Sequence, residues 1–105
     1  MYELRTLRRA SVEIRHHLEF LSGRSKRGAE AWARALDKTF LRLKESVHAF
    51  PLAAEDAHVT FAVQEALFKT RRGLIYRILF TIAGGQVLIL SVRGPGQDFL
   101  TKNDF

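Results

Sequence analysis

Leu74-Ile75-Tyr76-Arg77-Ile78-Leu79-Phe80-Thr81-Ile82-Ala83-Gly84-Gly85-Gln86-Val87-Leu88-Ile89-Leu90-Ser91-Val92-Arg93 is the stretch on which the fold of this chain turns. It is dense in β-branched and aromatic residues on both sides of a Gly-Gly pair, the pattern of two strands joined by a tight hairpin. Strands are predicted over residues 74–82 and 87–92, with residues 83–86 as the turn. Successive strand side chains point to opposite faces. Tyr76, Ile78, Phe80 and Ile82 therefore share one face, and Ile75, Arg77, Leu79 and Thr81 share the other. The first set is apolar apart from a tyrosine hydroxyl, so it should lie under a covering layer. Arg77 should then project from the opposite, open face.

Upstream, residues 59–68 read as a further strand, separated from the hairpin by Arg71-Arg72-Gly73. A polar linker, residues 52–58, precedes it. The covering layer is legible further back. Ala29, Trp32, Ala33, Leu36, Phe40, Leu43, Val47 and Phe50 recur mostly at steps of three and four, one apolar stripe along a helix that Pro51 ends. Ile14, Leu18 and Leu21 mark an earlier helix over about residues 9–22. Ser22-Gly23-Arg24-Ser25 breaks the two, with Gly23 suited to the left-handed position after a helix and Ser25 to capping the next. Residues 2–7 alternate as a short first strand, and the tail 94–105 reads as irregular, docking through Phe99, Leu100 and Phe105. The expectation is a single α+β domain over residues 1–105: a short N-terminal strand, an antiparallel helix hairpin, then a three-strand antiparallel meander forming one sheet packed on the helices.

A chain of 105 residues removes roughly 65% of its unfolded surface from water, enough for one core. Its 47% hydrophobic and 27% charged residues exclude the disordered and collagen-like classes. The absence of cysteine excludes disulfides and thiolate metal sites and suits a reducing compartment. Charges run through the first nine residues where a signal peptide needs an apolar region, and no apolar run reaches membrane-span length. A cytoplasmic location and no membrane partner are expected. Lys plus Arg number 17 against 11 Asp plus Glu, a formal charge of +6. With a pI near 10.3, that balance favours an acidic partner, either a nucleic acid or an acidic protein segment.

No motif for phosphate-loop or nucleophilic chemistry is present: Gly94-Pro95-Gly96 opens no helix and reads as a turn, and no serine stands on a nucleophile elbow. No pair among the four histidines has the spacing and acidic company of a zinc site; Glu13 and His17, four apart on a helix, could share a metal, but a solvated pair outweighs that reading. The remaining constellation is cationic. Arg71 and Arg72 flank a strand turn, Arg77 lies on the open face, and Arg93 ends the last strand. With the strands as neighbours these guanidinium groups converge on one side of the sheet, where their planar donors suit phosphate or carboxylate. They are the candidate anion-binding, and possible catalytic, residues.

The order of these pieces, with Phe68-Lys69-Thr70-Arg71-Arg72-Gly73-Leu74-Ile75-Tyr76-Arg77-Ile78-Leu79-Phe80 followed by Val87-Leu88-Ile89-Leu90-Ser91-Val92-Arg93-Gly94, resembles the RelE/ParE superfamily of bacterial toxins from type II toxin–antitoxin systems. The resemblance spans nearly the whole chain. It implies a compact α+β fold, a labile antitoxin as partner, growth inhibition as activity and no cofactor. The RelE-like branch cuts mRNA in the ribosomal A site without a metal, using basic side chains on the sheet. The ParE-like branch inhibits DNA gyrase. Arg77 matches the family's arginine after the middle-strand tyrosine, and in an RNase of this kind it would bind the scissile phosphate and stabilise developing charge.

Elsewhere the sequence departs from the nuclease pattern. Phe68 and Thr70 stand where RelE-like nucleases place basic residues, Arg93 is followed by Gly-Pro-Gly-Gln, and the end is Asn103-Asp104-Phe105. Phe105 supplies no titratable group for proton transfer. The expected function is a ParE-like growth inhibitor acting on DNA gyrase or another non-nucleolytic target and held by an acidic segment of its antitoxin. The alternatives are a RelE-like ribosome-dependent mRNA endonuclease and a non-toxic binding module of the same fold.

Overall fold

The computed structural model describes residues 1–104, the side chain of Asn103 excepted. In chain order it holds β1 (Glu3–Thr6), α1 (Arg8–Arg24), α2 (Lys26–Ser46), β2 (Gln64–Phe68), β3 (Tyr76–Ala83) and β4 (Gln86–Arg93), with short 3-10 turns at Val47–Ala49, Ala54–His58 and Lys102–Asp104. The fold is α+β. The 74–93 stretch forms the expected hairpin, in which Ala83 pairs with Gln86 across Gly84-Gly85. Gly84 takes φ +61° at the first central position, the conformation of a II′ turn, which a side chain at that position would strain. Opposite β3, Phe80 pairs with Ile89 and Leu79 with Ser91, so Leu90 is the extra residue of a bulge.

The apolar face of β3 lies where its alternation places it. Ile78 and Phe80 are fully buried in one cluster with Trp32, Leu36, Leu43 and Val47 from the α2 side and Val87, Ile89 and Val92 from β4. Ile82 packs at its margin.

The sheet itself differs from the three-strand antiparallel expectation. It has four strands in the order β1-β4-β3-β2, and it is mixed. β2, β3 and β4 pair antiparallel in succession, whereas β1 joins the outer edge of β4 in parallel, Glu3 opposite Gln86 through Thr6 opposite Ile89. Parallel neighbours need a long crossover. Here the chain between them runs through both helices and then β2 and β3, and Tyr2 N–H donates to the carbonyl of Lys44 near the end of α2, tying the start of β1 beneath that helix.

The junction of the helices is tighter than expected. Gly23 lies inside α1 with no positive φ, and Ser25 alone separates the helices. Its own N–H donates to the Leu21 carbonyl to close α1, while its Oγ accepts from the Gly28 N–H at 3.0 Å to open α2. One extended residue thus serves as both caps, so no left-handed glycine is needed. Ser25→Ala should lower the unfolding free energy by about 1 kcal/mol, the usual cost of losing an N-cap oxygen, measured by urea denaturation followed by circular dichroism. At the other end α2 passes into the 3-10 turn, and Phe50 is extended immediately before Pro51.

The second face of the sheet is covered, which corrects the expectation of an open face. Leu79 is fully buried in a cluster with Ala53, Val63 and Leu100. Residues 52–58 are no free linker. The Ala53 N–H donates to the Val63 carbonyl, and the Val63 N–H to Asp56 Oδ1 at 2.8 Å. Residues 59–63 thereby fold back on this turn, and β2 begins only at Gln64. The tail completes the cover: Pro95-Gly96 turns the chain as expected, with Gly96 at φ +79°, and Leu100 docks while Phe105 lies outside the described residues. Among the described residues, no helix is long and apolar enough to cross a membrane.

Candidate functional site

Arg77 and Arg93 stand directly opposite one another on β3 and β4, on the second face of the sheet. Each is already engaged by carboxylate. The two end nitrogens of Arg77 meet both oxygens of Glu55 at 2.7 and 3.1 Å, and Nε donates to Glu65 Oε1 at 2.6 Å. The Phe99 ring lies over the guanidinium, 4.9 Å from ring centroid to Cζ. Only 17% of the Arg77 side chain is exposed and none of the Glu55 side chain. Glu55 Oε2 also accepts the Leu100 N–H, which fastens the tail over the pair.

The charge state follows from these contacts. Burial alone would raise the Glu55 carboxyl. The Arg77 hydrogen bonds, the N–H groups of Glu55 and Leu100, and the Arg77 charge outweigh it, holding the carboxyl below its ordinary 4.5. The same carboxylates hold Arg77 protonated, with the Glu55 hydrogen bonds the largest cause. With one cation facing two anions, Arg77 offers no net positive charge to a phosphate.

Arg93 donates to Glu13 Oε2 at 3.1 Å and to the carbonyl of Asp98 at 2.8 Å. Glu13 also accepts from the Ser91 hydroxyl and the Val92 N–H, while His17 Nε2–H donates to the Val92 carbonyl at 2.8 Å. β1 stops at Thr6, beside Ile89, so the edge of β4 beyond it would be bare. Glu13 and His17, one helical turn apart on α1, occupy that edge. The expectation of a solvated pair is corrected, because a helix laid along a strand edge aims side chains four residues apart at the same stretch of backbone, here the N–H and the carbonyl of Val92.

Arg71 and Arg72 are exposed in the β2–β3 turn, and Arg72 lines a cleft that neither Arg77 nor Arg93 lines. The four arginines therefore divide: two neutralised on the sheet, and two at the turn with no carboxylate partner among the described residues. Glu55 and Glu65 are the residues that sequence reasoning missed. Glu65 carried a signal, the single acid inside a mostly apolar predicted strand. Glu55, in a polar stretch that reads as a linker, carried none.

Comparison of the chain with protein-family models, curated proteins and solved structures finds no match in any of the three.

A separate surface runs beside the outer strand. β2 ends the sheet, and past Glu65, whose N–H donates to the Pro51 carbonyl, its outer edge meets no further strand among the described residues. Between that edge and α2 lies a groove of about 700 Å³ with Leu41, Leu67 and Ile75 exposed along it. Lys38, Arg42 and Lys69 line it against a single acid, Glu45. Apolar residues beside an unpaired strand edge and a basic border suit an extended or helical acidic peptide. Leu41 lies off the apolar stripe of α2, which is the sequence signal for this surface.

Proposed function

We propose that this chain is a growth inhibitor of the ParE-like kind, acting on DNA gyrase or another target without cutting RNA, and neutralised by an acidic antitoxin segment seated in the groove between α2 and β2. The observation that carries the non-nucleolytic part is the fork of Arg77 onto Glu55 with Glu65 on its Nε. Stabilising a transition-state phosphate requires donors that are free and preorganised for it. A guanidinium whose donors face two carboxylates would have to break an ion pair with a fully buried partner first. The groove supports the partner reading through its apolar lining, its excess of cations and the unpaired strand edge beside it.

Expression without the antitoxin should arrest bacterial growth. The purified chain should inhibit gyrase supercoiling and leave messages uncut in a purified translation system with 5′-end mapping. Codon-phased cuts would overturn this ordering in favour of a RelE-like nuclease, and inactivity in both reactions would favour the binding module. Leu67→Glu, at an exposed position of the groove, should weaken antitoxin binding at least about tenfold, as loss of an apolar anchor does. Wild-type binding should weaken as salt screens the basic border. Isothermal titration at two ionic strengths measures both effects.

A further inference from the structure

At the start of α2 a second cleft, of about 710 Å³, opens between the end of α1, the first turns of α2, the β2–β3 turn and the segment after β4. Small-ligand sites typically enclose roughly 300–1,000 Å³. Its inner wall is aromatic. The rings of Trp32 and Tyr76 meet edge to face at 5.3 Å and those of His17 and Tyr76 at 5.1 Å, a packed cluster that cannot collapse into the space. The mouth carries two of the most exposed large apolar side chains of the chain, Phe20 at 62% and Leu74 at 69%. Burying such groups against a ligand is favourable in proportion to the area removed from water.

The charge of the lining is of one sign. Arg24 and Arg72 line the cleft and, among the described residues, no Asp or Glu does. Among the described residues neither arginine has a carboxylate partner, in contrast to Arg77 and Arg93. Arg24 instead lies over the Phe20 ring, 5.6 Å from its centroid, which keeps the cation beside the apolar mouth. Ser25 and Gly28 bring the N-terminus of α2 to the same cleft, and the first turn of that helix holds no acid to oppose its dipole. In the wall, the indole N–H of Trp32 is buried without a hydrogen-bond partner among the described residues.

We propose that this cleft binds a small aromatic anion, a flat ring system bearing one carboxylate or phosphate, with the ring against Phe20, Trp32 and Leu74 and the anion toward Arg24 and Arg72. The inference stands apart from the growth-inhibitor reading, since it uses neither the groove beside β2 nor the ion pairs of the sheet.

Trp32 is the only tryptophan, so its indole N–H gives a single resolved signal in a nitrogen-15 NMR spectrum. The full chain is titrated with 2-naphthoate and adenosine 5′-monophosphate, with 2-naphthamide and adenosine as uncharged counterparts, and with inorganic phosphate as an anion lacking a ring. A saturable shift of the indole signal is expected with at least one ring-bearing anion, with at least tenfold weaker binding of its uncharged counterpart. Arg24→Gln and Arg72→Gln, both at exposed positions, should each weaken that binding about tenfold, the worth of one charge-assisted hydrogen bond, while the rest of the spectrum stays in place. The proposal is overturned by any of four results: no saturable shift with either anion, equal binding of the uncharged counterpart, equal binding of phosphate alone, or full affinity retained in either variant.

Discussion

Replacing Arg77 with Met should lower the unfolding free energy by roughly 3–5 kcal/mol at neutral pH, the cost of leaving a buried charge without its partner. Glu55 is the stranded group. It is fully buried, and Arg77 supplies two of the hydrogen bonds it accepts, leaving the Leu100 N–H and the surrounding backbone to hold an uncompensated charge. Glu65, 22% exposed, can turn to water and adds less. Adding Glu55→Gln to Arg77→Met should recover at least half of the loss, because the amide oxygen still accepts from Leu100 while the charge is gone. Urea unfolding of the two single variants and the double variant measures the coupling. A loss below about 1 kcal/mol, or simple additivity, would contradict the account.

The same pair sets a pH signature. In the wild type the folded-state carboxyl of Glu55 lies below its ordinary 4.5, so its contribution is fully present above that value and is lost as pH falls through the folded-state pKa. In Arg77→Met burial is opposed only by the N–H groups of Glu55 and Leu100, and the folded-state carboxyl should rise. The deficit of the variant should therefore shrink as pH is lowered and Glu55 takes up a proton, since a neutral carboxyl is tolerated in the interior. Arg77 is consequently a structural residue as much as a candidate for chemistry. Loss of activity on its removal reports on catalysis only when the folded fraction is measured beside it.

Trp32→Ala should cost a similar amount, roughly 3–5 kcal/mol, the usual consequence of deleting a large core side chain and leaving a cavity. Trp32 is 2% exposed and meets Phe68 and Tyr76 at 5.5 and 5.3 Å, so it joins α2 to both β2 and β3. Its neighbours are rings held by the sheet, which limits how far the site can close over the void. Phe40 makes an internal control: it belongs to the same helical stripe but is only partly buried, and Phe40→Ala should cost less. Thermal and urea unfolding by circular dichroism separates the two. Equal costs would mean that the stripe is buried uniformly and that the aromatic junction at Trp32 carries no special weight.

What the sequence determined by itself is the set of local choices. Alternation in residues 76–82 named the buried face of β3, the three-and-four spacing from Ala29 to Val47 named the inward side of α2, and Gly84-Gly85 named the hairpin. Each depends only on how a side chain is directed from its own backbone. Tertiary structure alone decided the rest. Residues 2–7 read as half-buried, but that pattern is the same for either edge of a sheet, and the pairing of Leu4 with Val87 is settled by the path of the chain through both helices, β2 and β3 between them. The second face looked open because a polar stretch such as residues 52–58 announces no destination, yet it delivers Glu55 to Arg77. Whether an arginine is a free cation or half of an ion pair depends on which carboxylate comes within about 4 Å of it, since charge attraction is strong only at such separations. That distance is set between residues far apart in the chain, so local periodicity carries no trace of it.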